Sequence, residues 1–205
     1  MTERGRFITF EGIDGAGKST QIQVVADVLR SRGIEVVITR EPGGTPLAEA
    51  LRNLVLNEPM DPSTETLLLF AARSDHLERV LRPALEAGRW VLCDRFTDAT
   101  YAYQAGGRGV PVDKIATLER WVHPDMQPDL TLLFDLPPEI AAQRLAQARA
   151  ADRFESEQLD FFGAVRSQYL ERAAAFPARF FVVDSTASPD EIRHLLTNLM
   201  ARWNG

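Results

Sequence analysis

Residues 7–20 read Phe7-Ile8-Thr9-Phe10-Glu11-Gly12-Ile13-Asp14-Gly15-Ala16-Gly17-Lys18-Ser19-Thr20. A short apolar run that suits a buried strand opens into G-x-x-x-x-G-K-[ST], and a helical pattern follows at once. That order commits the chain to a loop between strand and helix, wrapped around a polyphosphate. The glycines let backbone N–H groups turn inward, and the start of the next helix adds the positive end of its dipole. Gly12, Ile13, Asp14, Gly15, Ala16, Gly17, Lys18, Ser19 and Thr20 are therefore the expected grip on a nucleotide. Lys18 has the reach for the outer phosphates, and the Ser19 hydroxyl suits a Mg²⁺ coordination site. Lys18 and Lys114 are the only lysines in the chain, every other cationic side chain being arginine.

Working outward, short apolar runs alternate with longer helical ones. The pattern predicts strands at Phe7–Phe10, Glu35–Thr39, Trp90–Asp94, Leu130–Asp135 and Arg179–Asp184. Helices are predicted over Lys18–Arg32, 46–57, 63–87, 97–105, 112–122, 138–150, 158–175 and 189–203, with Gly33 and Gly88 as stops. Near-continuous apolar strands alternating with helices imply a parallel α/β sheet covered on both faces, with ligands at the carboxyl ends of the strands. The stretch Ala146–Ala151 is small and arginine-bearing, which suits a mobile lid around 146–157 within one domain spanning 1–205.

Composition narrows the classes. The chain has 205 residues, 45% hydrophobic and 25% charged, as an ordinary globular domain does. A formal net charge of −6 argues against a nucleic-acid footprint, yet a few focused arginines suffice for a small polyanion. Cys93 is the only cysteine, so neither an internal disulfide nor a cysteine metal cluster is available. No run reaches 18 apolar residues, and the opening Met-Thr-Glu-Arg-Gly-Arg has no apolar signal region, so no membrane partner and a cytoplasmic location are expected. His76, His123 and His194 have no ligand spacing and suit structural or surface roles. Trp90 reads as strand core, Trp121 and Trp203 as helix-face packing.

The loop alone allows GTPases, ATPases and kinases. There is no N-K-x-D for guanine, and a chain of this size suits a kinase acting on a small acceptor. Arg40 and Arg95 follow the second and third strands, at neighbouring strand ends. Guanidinium forks match phosphate oxygens, so the two read as a clamp for an acceptor phosphate. Helix capping or a surface ion pair is the rival reading for each.

Six stretches then carry a specific resemblance. They are 10–20, Thr39-Arg40-Glu41-Pro42-Gly43-Gly44-Thr45, Leu68-Leu69-Phe70-Ala71-Ala72-Arg73, the long run 93–109 beginning Cys93-Asp94-Arg95-Phe96-Thr97-Asp98-Ala99-Thr100-Tyr101-Ala102-Tyr103-Gln104, Pro128–Thr131, and Asp152-Arg153-Phe154-Glu155. In this order the chain resembles the thymidylate kinase family, of the bacterial type with lid arginines. The resemblance implies a P-loop nucleoside monophosphate kinase-like fold with a five-stranded parallel sheet, ATP and dTMP as substrates, Mg²⁺ as cofactor, and a homodimer. It implies that Phe70 stacks on thymine and Arg73 bonds its O4, although many members space these two by four residues rather than three. Core packing beside Leu67, Leu68 and Leu69 is the rival for Phe70. Thr100 and Gln104 would face the pyrimidine edge, and Tyr103 would lie under the sugar and exclude a 2′-hydroxyl. Asp14 would stand near the 3′-hydroxyl and the metal. Asp94 would hold Mg²⁺ through water or orient Arg95. With no arginine inside the loop, Arg149 or Arg153 in the lid must supply the closing charge; Arg153 is favoured because it stands in the matching D-R-F-E. Catalysis would fall to Lys18, Arg95, Asp14 and these lid arginines. The alternative is another nucleoside or nucleoside monophosphate kinase, and a non-catalytic nucleotide switch is the reading from a different class.

Overall fold

A computed structural model describes residues 4–148 and 156–203. Its centre is a parallel sheet of five strands, β1 (Phe7–Glu11), β2 (Val36–Arg40), β3 (Trp90–Asp94), β4 (Leu130–Asp135) and β5 (Phe180–Asp184), in the order β2-β3-β1-β4-β5. Each strand lies within a residue or two of its predicted place. The chain leaves β1 for the edge strand β2, returns to β3, then crosses to the other side of β1. Connections therefore diverge above the carboxyl end of β1, the position where open parallel sheets bind ligands.

The alternation along the strands decides what covers each face. Phe7, Val91 and Cys93 point to one side and pack with Leu77, Leu81, Leu85 and Phe96. Ile8, Phe10 and Leu92 point to the other and pack with Val25, Leu29, Leu196 and Met200. The latter four come from α1 (Lys18–Ser31) and α9 (Pro189–Arg202), which lie against one another. Burial on both faces is why these strands read as apolar runs. Trp90 and Trp203 meet edge to face at 5.5 Å, as packing residues do, but Trp121 is 79% exposed and packs into no core.

Two predicted helices are not regular. The span expected as one helix over 63–87 is α3 (Pro62–His76), a π-helical stretch at Leu77–Leu81, and α4 (Arg82–Glu86). Pro83 has no N–H and its ring crowds the preceding turn, so the helix widens just before it. The span 97–105 is α5 (Thr97–Thr100) running into a π-helical stretch, Tyr101–Gly107. There α8 (Ser156–Ala175) comes very close: a Cβ on Gly106 would meet Gln168 Cβ at 2.7 Å and the Ala164 carbonyl oxygen at 2.9 Å, so a side chain there would push the two elements apart. The remaining helices are α2 (Pro46–Asn57), α6 (Val112–Val122) and α7 (Pro138–Ala148).

Candidate active site

The loop after β1 has the backbone the motif requires. Gly12, Gly15 and Gly17 all have positive φ, and a Cβ on Gly12 would sit 2.5 Å from the Phe134 carbonyl oxygen. Gly17 caps α1, so Lys18 is the first helical residue. The Lys18 ammonium is buried and donates back to the loop, to the carbonyls of Gly12 (2.9 Å) and Ile13 (3.1 Å). Burial, with Arg95 nearby, lowers it to about 8. An anion in the loop would replace those carbonyls and restore the full charge.

Two cavities adjoin over the sheet. One, about 420 Å³, is lined by the loop residues Asp14, Gly15, Gly17, Lys18, Ser19 and Thr20 and by Arg40, Asp94, Arg95 and Arg144. The other, about 300 Å³, is lined by Leu69 and Arg73 of α3 and by Thr100, Tyr103, Gln104 and Arg108. Asp14, Glu41, Arg52 and Arg95 line both. Arg95 stands where they join. Its Nη2 donates to Asp14 Oδ1 and to Tyr103 Oη, each at 2.8 Å, and its guanidinium lies 4.6 Å above the Tyr103 ring. Both bonds use one nitrogen, which leaves Nη1 and Nε for a phosphate.

Arg73 is tied down on three sides. Its Nε donates to Glu41 Oε2 at 2.7 Å and its Nη2 to Thr100 Oγ1 at 3.0 Å, while the guanidinium covers the Phe70 ring at 4.8 Å. Its Nη1 is buried and has no partner. An orphaned donor on the wall of a polar cavity asks for an acceptor from outside the chain. Glu41 is itself held by His76, whose Nδ1 lies 3.0 Å from Oε1 and whose Nε2 meets Thr39 Oγ1 at 2.7 Å. His76 and His123 are thus structural, both fully buried, and His194 is exposed. Gln104 donates to Glu65 Oε1 at 2.7 Å.

Two expectations need correction. Phe70 does not reach the cavity. It is 2% exposed, packs with Tyr101, Val110 and Ile115, and stacks on His123. Leu69, four residues before Arg73, faces the cavity instead. The spacing of four common in the family was the signal for it, since residues four apart share a helix face. Arg40 lines the loop cavity but not the second one. It is 55% exposed on its side chain and grips Glu49 through Nη2, at 3.1 and 3.0 Å. Arg52 of α2 is the residue that sequence reasoning missed, for it lies in both cavities and donates to the Pro42 carbonyl. Nothing in its local sequence marks it out. Arg149 and Arg153, and most of the expected lid, lie outside the described residues.

Asp98 sits inside the long matching run yet has a packing role. It is buried and receives Arg172 Nε at 2.8 Å and Arg179 Nη1 at 2.7 Å, which fastens α5 to α8 and β5. Asp94 differs: its Oδ1 is buried with no partner, beside the cavity that Ser19 also lines. Among the described residues no cluster of three or more His, Cys, Asp or Glu is placed to hold a metal. A lone carboxylate plus a hydroxyl fits Mg²⁺, which keeps its waters and takes most other ligands from nucleotide phosphates.

Glu11 ends β1 beneath the site, fully buried. Burial, reinforced by Asp98, pushes its carboxyl up from 4.5 to about 8. A folded-state pKa above the unfolded one means stability is fully present below about 4.5 and is lost as pH rises through about 8. Between pH 5 and 8, Tm should therefore shift in favour of Glu11→Gln over the parent by more than about 3 °C. A constant difference across that range would show that Glu11 does not titrate there.

Comparison with known proteins agrees with this geometry. The family model described as thymidylate kinase matches residues 10–196. A thymidylate kinase of Methylobacillus flagellatus is 58% identical over 200 residues, covering 98% of both chains. One of Cupriavidus metallidurans is 60% identical over 198 residues, covering 97% of this chain and 98% of its own. The crystal structure of thymidylate kinase from Ehrlichia chaffeensis superposes with a TM-score of 0.78 at 33% identity, covering 97% of each chain.

Proposed function

The chain belongs to the thymidylate kinase family, and from that premise we infer that it transfers a phosphoryl group from ATP to dTMP, giving dTDP and ADP. The observation that carries the reading is the pair of cavities joined at Arg95. One is built on a phosphate loop; the other ends at an arginine with an unpaired donor. Together they suit two anions held end to end.

The acceptor is a phosphate monoester, already mostly a dianion at pH 7 because its second pKa is near 6. No base is needed to make the nucleophile. The obstacle is repulsion between two polyanions, so catalysis is positioning and charge neutralisation. Gly12 to Thr20 hold ATP, with Lys18 on its outer phosphates. Arg95 and Arg52 take the acceptor phosphate, and Arg40, in the loop cavity, supports them from the donor side. Mg²⁺ would be held by Ser19 Oγ and, through water, by Asp94, and when bound it neutralises donor phosphate charge. Arg73 offers Nη1 to the base carbonyl, with Leu69, Thr100 and Gln104 shaping the base pocket. Asp14 suits the 3′-hydroxyl beside Arg95. Arg153, with Arg149 one turn earlier, supplies the last positive charge from a lid around 146–157 over this single catalytic domain.

Tyr103 lies under the sugar, its ring already carrying Arg95. Tyr103→Ala should cut the preference for dTMP over its ribonucleotide counterpart about tenfold in kcat/KM ratio. Equal discrimination in variant and parent would reject that role. Arg153→Ala should lower kcat about 10²–10³-fold with ATP affinity little changed, as a transition-state contact does; an unchanged kcat would remove Arg153 from the mechanism.

Leu67 of α3 is 55% exposed, and Val112 and Trp121 of the neighbouring α6 are exposed as well. The exposed Leu67 accords with a homodimer. No described helix is long and apolar enough to cross a membrane, and neither a membrane nor a nucleic-acid partner enters the reading; a cytoplasmic enzyme accords with it. The deciding assay is ATP consumption with dTMP, dUMP, UMP, CMP and thymidine in parallel. Turnover confined to dTMP, or strongest with it, supports the reading. Preference for another monophosphate or for thymidine would make the chain a different kinase, and silence with all five would make it a nucleotide switch.

A further inference from the structure

Glu11 takes no part in the steps above, yet two donors from distant elements converge on it. The Phe96 N–H donates to Oε1 at 2.7 Å and the Tyr169 hydroxyl to Oε2 at 2.8 Å. A fully buried carboxyl is costly unless its bonds achieve something. Neither donor belongs to the phosphate loop, although Glu11 adjoins it.

What these bonds fix is the turn after β3. Arg95 has φ 70, the one non-glycine with positive φ among the described residues. An arginine held in the left-handed region is strained and persists only where its surroundings over-determine it. Three ties do so. Arg95 N–H donates to the Phe10 carbonyl at 3.0 Å, the Cys93 thiol donates to the Arg95 carbonyl at 3.0 Å, and the next amide, that of Phe96, goes to Glu11. Of the three, only the last is a strong bond that a side chain from another strand accepts. A second route runs through rings. Tyr169, held by Glu11, meets the Tyr103 ring edge-on at 6.4 Å, and Tyr103 carries the Arg95 guanidinium.

We propose that Glu11 is a positioning residue: by accepting the Phe96 amide and the Tyr169 hydroxyl it holds Arg95 in its left-handed turn and aims the guanidinium at the acceptor phosphate. This rests on the reading of Arg95 as the acceptor-phosphate ligand. The acceptor oxygen is what counts. Glutamine supplies one to Phe96 and can donate to the Tyr169 oxygen, whereas methionine fills the space and leaves the amide unpaired.

The test is a double-mutant cycle on the full chain, with the Kd for dTMP read by calorimetry in Glu11→Met, Arg95→Ala and the combination. Glu11→Met should weaken dTMP about tenfold or more when Arg95 is present and less than about twofold when it is alanine, because the effect travels through Arg95. Glu11→Gln should stay within about threefold of the parent, and the Kd for ATP should be unmoved in all variants. If Glu11→Met does not fold, Glu11→Asp, which withdraws the acceptor by one methylene, carries the same cycle with the same expected pattern. An equal loss in both Arg95 backgrounds, or damage by glutamine as great as by methionine, overturns the proposal alone. An unchanged Kd in Arg95→Ala by itself overturns the reading of Arg95, and the proposal with it.

Discussion

Arg95→Ala is expected to lower kcat/KM for dTMP about 10⁴-fold, split between weaker acceptor binding and slower transfer, with KM for ATP within about threefold. The size follows from what one guanidinium does here. It stands where the two cavities join, with two nitrogens still uncommitted. Charge-assisted bonds to phosphate in a partly dried site are each worth about 1.5–3 kcal/mol. Removing the group also leaves Asp14 unopposed beside an incoming dianion, so repulsion adds to the lost attraction. The backbone adds no further penalty, since alanine and arginine both carry the Cβ that disfavours φ 70. Arg95→Lys should recover only part of the loss, because an ammonium lacks the fork. Steady-state kinetics with each substrate varied in turn checks this. A rise in KM confined to ATP would move Arg95 to the donor side.

Lys18→Met is expected to reduce kcat about 10³–10⁴-fold without lowering Tm. The two halves have one cause. The ammonium is bonded to two backbone carbonyls of its own loop, and its burial, with Arg95 nearby, depresses its pKa to about 8. A group paying desolvation in the free enzyme contributes little to stability, and a methionine of similar length fills its place. The return comes when phosphate enters, because a desolvated cation acts at full strength on the charge that moves between donor and acceptor. Single-turnover rates and a thermal melt on the same preparation check the pair. A kcat within tenfold of the parent, or a Tm lowered by more than about 5 °C, would contradict the assignment.

How far the sequence reached is clearest at α3. Its helix is legible from the pattern, whereas a role for Arg73 entered only through the family resemblance. Which of Leu69 and Phe70 faces the second cavity was not legible, because both stand beside Arg73 on neighbouring stripes of one helix. The choice was made by His123, Tyr101 and Ile115, which surround Phe70 from other elements. Arg40 shows the same limit. Its place at a strand end is a local fact, while its grip on Glu49 depends on how α2 returns over β2. Arg52, without any motif, reaches both cavities by that same return.

The sequence by itself determined the phosphate loop, the five strands and the acidic and basic residues at their carboxyl ends, because each depends on spacing within a turn or a strand. Only the tertiary structure decided which side chains share a cavity and what holds them there. Glu11 and Tyr169 are 158 residues apart and bond at 2.8 Å; no local periodicity carries such a pairing. It exists because packing α8 against the sheet buries a carboxyl and a hydroxyl together, and buried polar groups must find one another.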